Sequence, residues 1–184
     1  MQNHIGYGID VHQLEKGTPL IIGGVSISYS KGSKGHSDGD VLFHAIVDAI
    51  LGSLALGDIG QHFPSDDIQW EDADSTIFLE HASALLAEKG FGIENIDATI
   101  ILQNPKLTPY ILQMRKNISE ILAIELNKIS IKATTTDHLG FIGKGEGIAA
   151  TAVILISDNI GNYSPICTQS YRLSSCGWTP HCII

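Results

Sequence analysis

Cysteine is scarce: Cys167, Cys176 and Cys182 are the only three, and all lie beyond residue 166 of 184. An odd number confined to one end excludes a disulfide framework for the main body. His181 beside Cys182 matches the spacing of no zinc module. Basic residues are also few. Lys and Arg number 11 against 20 Asp and Glu, a formal net charge of −9. The chain therefore lacks the basic footprint of a nucleic-acid binder. No apolar run approaches the ~20 residues that span a bilayer. Met1-Gln2-Asn3-His4 opens without a basic region followed by an apolar one, so no signal peptide is read and a cytoplasmic location is the expectation. What remains is an ordinary globular composition, 43% hydrophobic and 17% charged, long enough for one domain with a sizeable core.

The most informative feature present is Asp10-Val11-His12, followed at a distance by His44. On a strand, residues i and i+2 project from one face, so Asp10 and His12 can grip one ion and His44 can close a third corner. Two His and a carboxylate with a free fourth position is the pattern of a catalytic zinc. Taken alone, Asp-x-His more often arises as a polar pair at a strand end.

Ile5 to Val11 reads as a strand. Leu20 to Ile27 reads as a hairpin turning at Gly23-Gly24. Gly32 to Asp40 reads as a loop. Val41, Leu42, Ala45, Ile46, Ala49 and Ile50 repeat at helical spacing. Asp40, His44 and Asp48 fall on the other side of that helix, as a solvated face or the lining of a site. Gly57 to Gly60 is read as its stop. A second helix runs from about Ser75 to Lys89, with Asp74 or Ser75 as cap. Ile93 to Leu102 reads as a strand, and Thr108-Pro109 as the start of a third helix. Its apolar stripe is Ile111, Met114, Ile118, Ile121 and Leu122. Ile129 to Thr136 and Ile148 to Ser157 read as strands, with a tight turn at Gly140 to Gly147 before the latter. This order predicts an α/β sandwich: one mixed sheet with helices on one face. Residues 1–158 form the expected domain. Residues 159–184, with one charge at Arg172, form an appendage of unknown role.

Lys132-Ala-Thr-Thr-Thr-Asp137 ends a strand with three hydroxyls and an acid. It suits a phosphate and a magnesium ion, though threonine also simply favours strands. Lys106 precedes a helix start, where an anion is welcome. Gly143 to Gly147 is not a Walker loop, because Lys144 is followed by Gly145. The acids of Asp58-Ile59-Gly60 and Phe63-Pro64-Ser65-Asp66-Asp67 suit a polyol better than a bare anion.

In order, Gly6-Tyr-Gly-Ile-Asp-Val-His12, His36-Ser-Asp-Gly-Asp-Val-Leu-Phe-His44, Ala55-Leu-Gly-Asp-Ile-Gly60, Phe63-Pro64, Lys132-Ala-Thr-Thr-Thr136 and Gly143-Lys-Gly-Glu-Gly147 resemble the 2-C-methyl-D-erythritol 2,4-cyclodiphosphate synthase family. The resemblance runs from Ile5 to about Ser157. It implies cyclisation of 4-diphosphocytidyl-2-C-methyl-D-erythritol 2-phosphate with loss of CMP, a step of non-mevalonate isoprenoid synthesis. It implies a homotrimer with sheets toward the three-fold axis and sites between subunits. It implies zinc, or another divalent transition metal, on Asp10, His12 and His44, and magnesium or manganese near Asp137. His36 and Thr135 match residues that stabilise the transition state. Asp10, Val11, His12, His36 and Ser37, with Asp58, Ile59, Gly60, Phe63, Pro64, Ser65, Asp66 and Asp67, match the methylerythritol phosphate contacts. Leu102, Gln103, Asn104, Pro105, Lys106, Leu107 and Thr108 match the cytidine pocket. Thr134, Thr135, Thr136 and Asp137 match the diphosphate cradle, and Phe141 and Lys144 the remaining contacts. Asp137 stands where many members have Glu, and Lys144 where Arg is common. Lysine keeps the charge but lacks the bidentate fork. A zinc phosphohydrolase and a non-catalytic nucleotide or isoprenoid-phosphate binder are the alternatives, separable by product.

Overall fold

The computed structural model describes residues 2–35, 37–64, 67–70 and 73–158. Among these residues, seven strands and five α-helices run in the order β1 (Asn3–Lys16), β2 (Leu20–Ile22), β3 (Val25–Ile27), β4 (Lys31–Lys34), α1 (Val41–Ser53), α2 (Ile59–His62), α3 (Thr76–Glu88), β5 (Gly92–Ile101), α4 (Ile111–Leu122), β6 (Ile129–Thr134), α5 (Gly140–Gly143) and β7 (Gly147–Ser157). Five strands form one sheet ordered β4-β1-β7-β5-β6. Only β5 and β6 pair in parallel; the other neighbours are antiparallel. The sheet is therefore mixed, as expected. Helix α1 packs on β1 and β7, α4 packs on β6, and α3 packs on α1 and α4. Ile46, Ile50, Ile96, Ile100, Met114 and Ile154 are wholly buried in the core between sheet and helices.

The alternation of β1 decides where the site lies. His4, Gly6, Gly8, Asp10 and His12 share one face, by the two-residue period of a strand. Gly6 and Gly8 are buried beneath α1. A Cβ at Gly6 would collide with the carbonyl oxygen of Ala49, and one at Gly8 with that of Ala45. The two glycines let helix and strand approach until their polar ends meet. Ile5, Tyr7, Ile9 and Val11 point the other way and are 72, 59, 52 and 47% exposed. Gly8→Ala is expected to push α1 off the strand. The cost is about 1–3 kcal/mol or more, because the obstacle is backbone that has no rotamer to change. A urea titration reads that loss directly.

Several local expectations need correction. Gly32 to Lys34, expected as the start of a loop, joins Lys31 in an edge strand paired with β1. Helix α1 stops at Ser53, well before Gly57, with Ala55 just beyond it in the left-handed region at φ 56°. The third helix begins at Ile111 and not at Thr108-Pro109. A turn closed by Tyr110 N–H donating to Leu107 O (2.9 Å) occupies that segment. Residues 59–62 form a helical turn that starts inside the expected stop at Gly57 to Gly60, and α5 takes up part of the expected turn at Gly140 to Gly147. The hairpin matches its expectation: Gly23 and Gly24 sit at φ 59° and 67°, as a two-residue turn with both central residues left-handed requires.

Candidate active site

The side chains of Asp10, His12 and His44 converge, with one ligand atom from each within 4.8 Å of the others. His44 sits in the first turn of α1, where its N–H donates to Asp40 O at 3.1 Å. Asp10 Oδ2 lies 2.8 Å from His12 Nε2 and 2.9 Å from His44 Nδ1. The two ring nitrogens are 3.2 Å apart. Ligands at about 2.0–2.1 Å from a tetrahedral zinc stand about 3.3 Å from one another. The triangle is close to one face of that tetrahedron, so the donor set and its geometry fit zinc. His12 Nδ1 donates to Lys34 O at 3.0 Å. A carbonyl only accepts, so Nδ1 holds the ring proton and the Nε2 lone pair faces the triangle. The edge strand β4 thus orients a candidate ligand.

Burial pushes the Asp10 carboxyl up, but hydrogen bonds and charge from His12 and His44 outweigh it and hold it well below the usual range. Burial pushes His12 down, but its hydrogen bond to Asp10 and the Asp10 charge win and raise it above 6.5. The signs define a window. Asp10, depressed, contributes stability above its unfolded value of 3.8 and loses it as pH falls through the lower folded value. His12, raised, contributes below 6.5 and loses it as pH rises through its folded value. A metal competes with the His12 proton. Zinc affinity is therefore expected to fall by at least about tenfold per pH unit below the raised His12 value. Calorimetric titration across pH 5.5–8.5, on the order of half-unit steps, checks this and the associated proton release.

The polar stripe of α1 is not a solvated face. Asp40 is wholly buried and caps the helix. It accepts from Gly23 N–H (2.9 Å), Gly24 N–H (2.7 Å), Leu42 N–H (3.1 Å) and Phe43 N–H (3.1 Å). Burial pushes it up to about 6 against the pull of those donors. Asp48 accepts from Ile59 N–H at 2.7 Å and so anchors α2 to α1.

A cavity of about 230 Å³ opens beside the triangle, lined by His12, Ser37, His44, Ile59, Gly60, Phe63, Trp70 and Phe78. Six sequence expectations meet here: the two ligands His12 and His44, with Ser37, Ile59, Gly60 and Phe63. Trp70 and Phe78 are walls that sequence reading missed; both rings pack on Phe63, at 5.0 and 4.4 Å between centroids. Asp58 caps α2, accepting from Gln61 N–H at 3.0 Å. Pro64 is exposed, and Asp67 accepts from Gln69 N–H at 3.1 Å. The Val11 side chain lies on the opposite sheet face, leaving only its backbone toward the triad. His36, Ser65 and Asp66 lie outside the described residues, as do the three cysteines.

A second cavity, about 420 Å³, is lined by Leu102, Gln103, Pro105, Lys106, Leu107, Thr108, Ala133, Thr134 and Thr135. Its wall residue Pro105 follows Asn104, which is not in the lining, through a cis peptide bond. Thr135 Oγ1 donates to Asp137 Oδ1 at 3.2 Å, and Thr136 Oγ1 donates to Leu139 O at 2.7 Å. Phe141 and Lys144, on and just after α5, are exposed. Register places His12 opposite Ile148, Ala149 opposite Ile101, and Ile101 beside Thr134. The two cavities therefore share one end of the sheet. Strand β7 stands between β1 and the β5 and β6 ends that wall the second cavity, a separation of two to three strand spacings, or about 10–14 Å.

The YgbB family model matches residues 3–157. A 2-C-methyl-D-erythritol 2,4-cyclodiphosphate synthase of Geobacter metallireducens is 57% identical over 152 residues, covering 83% of this chain and 97% of that one. One of Chlorobium phaeobacteroides is 54% identical over 154 residues, covering 84% and 97%. Among solved structures, the Plasmodium falciparum IspF CDP complex superposes with a TM-score of 0.74 at 38% identity, covering 84% of this chain and 95% of that one. A CDP-bound 2C-methyl-D-erythritol-2,4-cyclodiphosphate synthase reaches 0.77 at 34% identity, covering 83% and 99%. By fold, by sequence over nearly its whole described length and by the type of its relatives, this chain belongs to the YgbB family.

Proposed function

We propose that this chain converts 4-diphosphocytidyl-2-C-methyl-D-erythritol 2-phosphate to 2-C-methyl-D-erythritol 2,4-cyclodiphosphate, releasing CMP as a phosphorus–oxygen lyase. The observation that carries the reading is the Asp10–His12–His44 triangle with its open side on a cavity. The nucleophile belongs to the substrate. A 2-phosphate oxygen attacks the β-phosphorus, the bond to the α–β bridging oxygen breaks, and that oxygen leaves on CMP. No water is consumed, and because the attacking oxygen is the substrate's own, no protein nucleophile is needed. Such transfer asks for positioning and charge neutralisation. A zinc ion bound by Asp10, His12 and His44 supplies Lewis acidity toward phosphate oxygens. Ser37, Ile59, Gly60 and Phe63 hold the methylerythritol part away from water. The cavity from Leu102 to Thr108 takes the cytidine. Thr134 to Thr136 cradle the diphosphate, with Thr135 and His36 at the transition state. Asp137 would hold magnesium or manganese.

The working unit in this reading is a homotrimer. The outer sheet face, with Ile5, Tyr7, Ile9, Val11 and Val153 exposed in a single chain, is an apolar patch of the kind that marks an interface. The metal triangle and the second cavity of one chain lie at different strands of the sheet, and a neighbouring chain brings its own second cavity to the triangle. Residues 1–158 are the catalytic unit and 159–184 an appendage without an assigned role. Among the described residues no helix is long and apolar enough to cross a membrane, which accords with a cytoplasmic location.

Phosphorus NMR of the reaction mixture tests the reading. A cyclic diphosphate appearing in step with CMP supports it. A linear phosphate signals a hydrolase, and binding without turnover signals a passive binder.

A further inference from the structure

We infer that Ser75 and Asp38 are positioning residues that fix the tautomer of His44 and so set the strength of the metal site. This rests on the reading of Asp10, His12 and His44 as metal ligands. The two histidines are oriented differently. His12 leans on a carbonyl, which leaves it one tautomer. His44 Nε2 leans on hydroxyls: Ser75 Oγ at 2.9 Å and Ser37 Oγ at 3.2 Å. A hydroxyl can donate or accept. If it donated, the ring proton would sit on Nδ1 and block the lone pair that faces Asp10.

Asp38 removes that ambiguity for Ser75. Its carboxylate accepts from Asp40 N–H (3.1 Å), from Ser75 N–H (3.2 Å) and from the Ser75 hydroxyl itself. Ser75 has then spent its one proton, and toward His44 it can only accept. Ser37 Oγ lies 3.4 Å from Ser75 Oγ and can give its own proton there; with both hydroxyls accepting from His44, Nε2 carries the ring proton and Nδ1 is left free for the ion. Asp38 is in turn held by its own N–H donating to Ala73 O at 3.0 Å. Ser75 is wholly buried and stands at the N-cap of α3, yet its side chain makes no capping hydrogen bond. A serine there ordinarily accepts from the N2 or N3 amide. Here the hydroxyl is turned to His44 instead. Loss of such outer partners typically weakens metal binding by about 10–100-fold.

Two measurements decide the matter. Nitrogen-15 NMR of the zinc-loaded, histidine-labelled chain reads the tautomer with no substitution at all: the His44 ring proton is expected on Nε2, with Nδ1 shifted by the metal. Competition against a chromophoric chelator, with Zn2+ as the only probe, is expected to show Ser75→Ala and Asp38→Ala about 10–100-fold weaker. Ser75→Thr, which keeps the hydroxyl, is expected to restore affinity. A purely structural role would not be rescued in this way, nor would it move the nitrogen signals. Metal bound through Nε2 of His44 overturns the inference even if a variant fails to fold. So does a Ser75→Ala titration that superimposes on that of the unaltered chain, and in that case the metal reading itself survives. An unaltered chain that takes up no zinc overturns both.

Discussion

Replacing His44 with alanine is expected to abolish zinc retention and to lower CMP release by well over about a hundredfold, since even an outer partner of a ligand is worth about 10–100-fold. His44 is one of three ligands, and the other two come from a single strand. Without it, Asp10 and His12 remain paired to each other at 2.8 Å and offer only two adjacent donors. The fold should persist, because the helix cap is Asp40 and not His44. Circular dichroism serves as the control, and metal content of the purified variant is the readout alongside turnover. A variant that keeps zinc and near-normal turnover would remove the metal role assigned to α1.

Asp40→Ala is expected to act on folding with comparable force. One carboxylate accepts from four backbone N–H groups, joining the β2–β3 turn to the start of α1. Each buried donor left unpaired costs about 1–3 kcal/mol. Water reaching the partly exposed Gly24 amide recovers some of this. A net loss of at least about 3 kcal/mol follows, against a total of about 5–15 kcal/mol for a typical domain. Because the capped helix carries His44, the metal site should loosen with it. Chemical denaturation of the metal-free protein measures the first effect without interference from the second.

Much of this architecture was legible in the sequence because its signals are local. Gly23-Gly24 demands a tight turn, the α1 repeat demands a helix, and Asp-x-His demands a shared strand face. The errors lie where tertiary contact decides. Lys31–Lys34, Lys-Gly-Ser-Lys, has no apolar alternation, and it becomes a strand only because β1 offers an edge. Asp40 read as a member of a polar stripe, since nothing in the sequence shows that the hairpin amides meet it from 16 and 17 residues away. Ser75 read as a helix cap, because its true partner is 31 residues distant. Trp70 and Phe78 read as ordinary apolar residues until the fold laid them against Phe63. Ala55, with φ 56°, ends α1 at a residue type that gives no warning of it. The glycine spacing at Gly6 and Gly8 was on the page as part of a motif. Its meaning, a helix carbonyl pressed against the strand, required the structure.

The most direct test is an anomalous-difference map collected at the zinc edge from crystals grown with zinc and CDP. A single peak per chain is expected within bonding distance of Asp10 Oδ2, His12 Nε2 and His44 Nδ1. A zinc peak bound elsewhere, with those three side chains still paired only to one another, would contradict the account.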